Sequence, residues 1–281
     1  MFYQTVKGPV FMMEAALYAK MLNDKSFTDL KKMQYKYSTE AVAQMIELLK
    51  QTAYKTLPLK DFEGKELVFL ESLTQPGGTV FKTLLTAYAS SEHYGLKAME
   101  DEIHYTLHIE NIHSSKESIH RILSGWAPKN EPEDRIFGMK KGLDFISNPG
   151  NEMTEENIFK LYMLTVGDFL QEDEKLIPGE YYRHDSVFIV ATQVEHQGLD
   201  SKRLPAYMTQ FVDFIHKEHK MNELSKAAVI HFYFAYLHPY FDGNGRMARL
   251  LHLWYLVQQG YSATLFFPFS AFINNSKSKY Y

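Results

Sequence analysis

The chain has 281 residues, 45% of them hydrophobic, enough to bury a sizeable core as one large domain or two smaller ones. It has no cysteine, which excludes disulfides, thiolate chemistry and cysteine-based zinc sites and suits a reducing compartment. A net charge of −4 gives no global electrostatic reason to expect nucleic acid as a partner, and no run approaches the ~20 apolar residues of a membrane span.

Near the start, "GPVFMMEAALYA" has the greasiness of a secretory leader, but Glu14 interrupts the apolar run and a single lysine precedes it. It reads as helix, and the protein as cytoplasmic. Residues 27–52 space Leu, Met, Tyr, Ala and Ile three to four apart with charges between, the pattern of an amphipathic helical pair. "QPGG" (75–78) is a turn signal, and residues 79–123 return to helical patterning until Ser124-Gly125. "WAPKNEPEDR" (126–135) and "SNPGNEMTEEN" (147–157) read as polar loops, with Thr154 able to cap the helix that follows. "GEYYRHDSVFIVATQVEH" (179–196) departs from helix: its β-branched and aromatic residues predict a small β-hairpin, expected to be the sole strand pair. Tyr207, Met208, Phe211, Phe214 and Ile215 mark one face of a helix, and "KAAVIHFYFAYL" (226–237), apolar almost all round, predicts a helix at the centre of the fold. Leu250, Leu251, Leu253, Trp254, Leu256 and Val257 form another, ended by Gly260.

Between those last two helices lies "HPYFDGNGRMAR" (238–249). The glycines of Gly243-Asn244-Gly245 let successive N–H groups point inward at a helix start, which favours an anion. Arg246 and Arg249 lie one turn apart, so both guanidinium forks can reach one polyphosphate. Asp242 offers a hard oxygen suited to Mg2+ shared with phosphate. His238, where Pro239 stops the helix, could take a proton from an attacking hydroxyl. Singly these residues are commonplace, since a histidine often caps a helix and "DGNG" is often a tight turn. Together they describe a phosphoryl or nucleotidyl transfer site.

This stretch resembles the Fic family motif His-Pro-Phe-x-Asp/Glu-Gly-Asn-Gly/Lys-Arg-x-x-Arg, departing only at Tyr240, where the family has Phe. "GEYYRHDSVFI" is similar to the family's flap entry, with one extra residue between Gly179 and Arg183, and "SKYY" (278–281) resembles the start of the helix closing the nucleotide site. The resemblance covers roughly residues 100–281. It implies a mainly α fold: a Fic-type helical core around a buried central helix with one small β-hairpin flap, plus an N-terminal helical region. The expected division is 1–98 for that region and 99–281 for the core, with an inhibitory helix at 99–112, the flap at 180–197 and the motif loop at 238–249.

The resemblance also implies roles. His238 would be the general base, Asp242 the Mg2+ ligand, and Gly243, Asn244 and Gly245 the anion hole. Arg246 would contact the phosphate chain and Arg249 the γ-phosphate of ATP. Gly245, where phosphorylating relatives carry Lys, favours AMP transfer. Tyr182, Arg183, Val187 and Ile189 would belong to the flap that aligns the target, and Tyr280 and Tyr281 would line the adenine pocket. "TLHIEN" (106–111) fits the family's inhibitory pattern Ser/Thr-x-x-x-Glu-Gly/Asn, with Thr106, Glu110 and Asn111 in place. A Glu110 carboxylate paired with Arg249 would occupy the group that holds the γ-phosphate.

The expected activity is thus auto-inhibited transfer of AMP from ATP, with Mg2+, to a Ser, Thr or Tyr hydroxyl of a protein target or of the chain itself. Removal of AMP at the same site, or nucleotide sensing without catalysis, are the alternatives, and a homodimer is left open. His231 reads as a core residue. His104, His108, His113 and His120 lack a convincing set of partner ligands, so no zinc is expected.

Overall fold

Helix starts along the chain are set by short polar side chains that take up first-turn N–H groups. Asp29 accepts from Lys32, Ser38 from Ala41, Ser115 from Ser118, Asn130 from Glu133, Thr154 from Asn157 and Asn222 from Ser225, at 2.8–3.2 Å. The structure, a computed structural model, describes residues 14–27, 29–70, 92–190, 194–217 and 221–277. In order these form α1 (Ala15–Leu22), α2 (Leu30–Tyr37), α3 (Thr39–Thr52), β1 (Tyr54–Lys60), β2 (Glu66–Leu70), α4 (Glu92–Ile109), α5 (Lys116–Leu123) and α6 (Glu131–Ser147). There follow α7 (Glu155–Thr165), β3 (Phe188–Val190), β4 (Val194–Gln197), α8 (Leu204–His216), α9 (Glu223–Leu237), α10 (Asn244–Gln258) and α11 (Phe269–Asn275). Among the described residues no helix is long and apolar enough to cross a membrane.

Contacts divide the chain into two compact units, residues 1–57 with 66–73, and residues 58–65 with 74–281. A border at 98/99 would instead cut α4 in mid-helix. In the first unit α1, α2 and α3 enclose a methionine-rich core of Met21, Met33, Val42, Met45 and Leu49.

The second unit is built around α9 and α10, whose buried faces meet. Its interior is aromatic: Trp254, Tyr162, Tyr233, Tyr240, Phe211, Phe214 and Phe234 are fully enclosed. Each such side chain contributes about 1.5–3 kcal/mol of apolar burial. The predicted helical face of α8 is buried at all five positions. α9 is less enclosed than its composition predicts, because Phe232 is 55% exposed and stacks on Tyr236.

Two further readings are corrected. Residues 126–135 are not all loop: α6 begins at Glu131, with Pro132 in its first turn, where a missing N–H leaves no bond unmade. And β3–β4 is not the sole strand pair, since β1 and β2 form a second sheet. Leu57 and Leu59 do alternate inward there, but Pro58 between them argues against a strand; a two-stranded ribbon is all edge and tolerates it. The turn of that hairpin is tied by Asp61, whose side chain accepts from Glu63 and Lys65. Within the second unit the turn is bolted to α8 and α9: Tyr233 donates to Lys60, Tyr207 to Asp61 and Arg203 to Phe62, at 2.8–2.9 Å.

Candidate active site

α9 ends because His238 turns left-handed (φ 54°), its N–H still donating to Phe234, and Pro239 follows. Such a backbone is uncommon for a non-glycine residue and needs outside support. Arg183 supplies it. Its Nε donates to the His238 carbonyl (2.8 Å) and its N–H to the Pro239 carbonyl (3.0 Å), while its terminal nitrogens donate to Asp185 and Leu199. Leu199 in turn donates to Leu237. Gly198 makes the clamp fit, since a Cβ there would lie 2.6 Å from Arg183 Nη2 and 2.7 Å from Val187. His238 Nδ1 lies 3.2 Å from the Ala235 carbonyl. A carbonyl only accepts, so Nδ1 carries the proton in this contact and the imidazole lone pair is on Nε2.

The turn that follows is closed by Asn244, whose side chain accepts from the Tyr240 N–H (3.0 Å) and donates to the Tyr240 carbonyl (2.7 Å). The expected anion-hole member therefore commits its side chain to the loop, which leaves only its backbone for the expected role. Tyr240 is fully buried and stacks on Tyr162 with ring centroids 3.6 Å apart, so a tyrosine serves as the apolar anchor here. Gly243 has φ 78°, and a Cβ would press on Val166 at 2.6 Å; both facts demand glycine. It starts α10 without a side-chain cap, leaving the first turn's N–H groups and positive dipole end for an anion.

Both motif arginines are buried, each 1% exposed. Arg246 donates through Nη2 to Asp242 at 2.5 Å, and its Nε has no partner among the described residues. Arg249 donates through Nε to Thr106 Oγ1 (2.7 Å), and through Nη2 to the Thr106 carbonyl (3.2 Å) and to Glu110 Oε1 (2.5 Å); its Nη1 has no partner among the described residues. Buried guanidinium N–H groups without acceptors suit a site built for an anion. Asp242 commits one oxygen to Arg246 and its side chain is 41% exposed, so it fits a divalent cation brought in with phosphate.

The structure gives the three pattern residues of "TLHIEN", Thr106, Glu110 and Asn111, a physical task. Thr106 and Glu110 both grip Arg249. Asn111 takes the left-handed conformation (φ 59°) that ends α4, with Ile112 donating to Leu107 and Asn111 to His108. That helix-ending arrangement favours glycine or asparagine at this place. Gly245 faces the contact from the other side: a Cβ there would overlap Glu110 Oε1 and lie 3.2 Å from Arg249 Nη1.

Of the expected flap residues, Tyr182 and Arg183 precede β3 and are buried, Tyr182 donating to Glu155 and Arg183 clamping the His238 turn. Val187 accepts the Gly198 N–H, and Ile189 lies in β3 opposite His196 across an antiparallel pair. Tyr280 and Tyr281 lie outside the described residues. Sequence reasoning did not single out Gly198 or the support role of Asn244, which only the folded approach of distant segments reveals. No His/Cys/Asp/Glu group able to hold a metal alone occurs among the described residues.

Residues 152–256 match the model of the Fic/DOC family. A Drosophila ananassae protein named Protein adenylyltransferase Fic is 26% identical over 156 residues, 54% of this chain and 28% of its own length. The Drosophila virilis protein of the same name is 26% identical over 156 residues, 29% of its length. The chain thus spans under a third of the curated relatives it matches. A Fic family protein from Desulfovibrio desulfuricans has a TM-score of 0.58 at 19% identity, covering 68% of this chain and 57% of that one. A Fic domain containing signaling protein from Bacteroides thetaiotaomicron has a TM-score of 0.55 at 21% identity, covering 64% and 71%. These two likenesses concern the fold.

Proposed function

We propose, from the premise that this is a Fic-domain protein, that it is an auto-inhibited protein adenylyltransferase. It moves AMP from ATP to a Ser, Thr or Tyr hydroxyl of a protein target or of itself. The observation that carries this reading is the buried Arg249 held by Glu110 and Thr106 beside an uncapped helix start. A phosphate-gripping arginine is there occupied by a carboxylate of the same chain.

His238 Nε2 takes the proton of the target hydroxyl as its oxygen bonds to the α-phosphorus. The α–β phosphoanhydride bond breaks and pyrophosphate leaves. Backbone N–H groups at the start of α10 hold the phosphate oxygens, and Arg246 neutralises the chain of charge. Arg249, once released, grips the γ-phosphate and so aligns the α-phosphate with the hydroxyl. Asp242 would hold Mg2+, which when bound would neutralise phosphate charge. With Glu110 on Arg249 the nucleotide lacks its third anchor, and the reacting atoms are out of line.

The test is incorporation of label from radiolabelled ATP into the protein itself or a lysate. Glu110→Gly raises labelling, His238→Ala in that background abolishes it, and ATP binding persists in the His238 variant. Unchanged labelling in folded Glu110→Gly would remove the brake. A protein that instead strips label from an adenylylated target would be read as the reverse enzyme.

A further inference from the structure

Glu110 sits at the C-terminal end of α4, where a helix disfavours a carboxylate, and its side chain is 26% exposed. A single partly exposed ion pair is a weak restraint. The rest of α4 shows what holds it in register. Glu102 lies two turns before Glu110 on the same broad face, with Thr106 between. It is buried, and its carboxylate accepts from both the Ser270 N–H (2.8 Å) and the Ser270 hydroxyl (2.5 Å). Ser270 lies in the first turn of α11, which has no capping side chain of its own: Pro268 stands at its N-cap. Glu102 therefore caps that helix from another segment. Nearby Gly95 lets α4 approach the 3-10 turn Ser262–Phe266 so closely that a Cβ would lie 2.7 Å from Phe266.

We propose that Glu102 is a positioning residue of the brake. Its bond to Ser270 anchors α4 to the segment 262–275 in the one register that brings Thr106 and Glu110 onto Arg249, and loosening that anchor releases the arginine. This rests on the auto-inhibition reading and adds its control point, the C-terminal segment. α4 is thus held at two places by that segment, through Gly95 and Glu102, and at two by α10, through Thr106 and Glu110. Losing Glu102 strips α11 of its cap and loosens α4 where it faces the segment 262–275.

The experiment uses the full chain with Glu102→Ala, Glu102→Gln, Ser270→Ala, Glu110→Gly and the double variant Glu102→Ala/Glu110→Gly. Self-labelling from radiolabelled ATP is measured together with amide hydrogen exchange over residues 103–112. Glu102→Ala is expected to label about tenfold more than the parent, the scale of losing a buried hydrogen-bonded contact to Ser270. Glu102→Gln, which keeps a carbonyl acceptor, stays near the parent. The double variant labels no more than Glu110→Gly, because both act on one brake, and exchange over 103–112 quickens in Glu102→Ala. Unchanged exchange in a folded Glu102→Ala, or a double variant that labels more than Glu110→Gly, overturns the proposal. If Glu102→Ala does not fold, Ser270→Ala answers by the same two readouts. If Glu110→Gly fails to raise labelling, the auto-inhibition reading falls, and the exchange data still decide whether Glu102 sets the register of α4.

Discussion

Gly245 shows how much one missing side chain can decide. It serves two masters: its N–H belongs to the turn that would face phosphate, and its bare Cα leaves room for the Glu110 carboxylate. Adding a Cβ would meet the far end of a flexible glutamate, which can move, so Gly245→Ala is expected to fold. The carboxylate would then be pushed from Arg249. Losing about 1.4 kcal/mol of that contact is worth about tenfold in ATP affinity. Equilibrium binding of ATP to Gly245→Ala checks this, and affinity equal to or below the parent's would count against Gly245 as the seat of the brake. Tyr240 makes a related point. The family's Phe is replaced by a residue whose ring stacks on Tyr162 while both hydroxyls lack partners among the described residues. The motif resemblance placed an apolar ring at this position; the unpaired hydroxyls could not be read from it.

Between α9 and α10 the packing has a chemical signature. His231 and His252 face each other edge to face with centroids 6.1 Å apart, and His252 stacks on Phe269. Burial, then the neighbouring His252 and Arg249 charges, lowers His231 to about 3; burial lowers His252 to about 4. Both folded values lie below that of an exposed histidine, so between pH 6.5 and 4 the unfolded chain binds protons that the folded one refuses. The stability these residues contribute when neutral is complete above pH 6.5. It is lost as pH falls toward 4, at up to about 1.4 kcal/mol per pH unit for each. Melting curves should show a steep acid limb in that window, flattened in His252→Gln. A flat melting temperature from pH 7 to pH 5 would contradict neutral burial. The expectation that His231 is a core residue was legible from its place on an apolar helix; its partner His252 was not, because a contact between helices leaves no spacing signal in either.

At the scale of the molecule, the hairpin turn 58–65 belongs with the core and not with the helices that precede it. Tyr207 and Tyr233, both buried, donate to its carbonyls. A chain beginning at residue 92 loses those acceptors. A buried hydroxyl left without a partner costs about 1–3 kcal/mol, and each kcal/mol lowers the melting temperature by about 2–4 °C in a protein of this size. Such a chain should melt several degrees below the full one, and Tyr233→Phe should narrow that gap. Equal melting temperatures would mean the turn is an ornament of the core.

The residues themselves determined the helical character, the hairpin near 188–197 and the buried helix leading into the motif, because each is carried by local spacing or turn residues, and the motif could be read as one contiguous string. The Thr106, Glu110 and Asn111 pattern was legible in the sequence, yet the contact it makes needed the fold: Glu110 lies 139 residues from Arg249. Tertiary structure alone decided that Arg183 supports the His238 turn, that Glu102 caps α11, and that β1 and β2 pair. Each depends on segments brought together by burial, and close approach of distant side chains has no period along the chain.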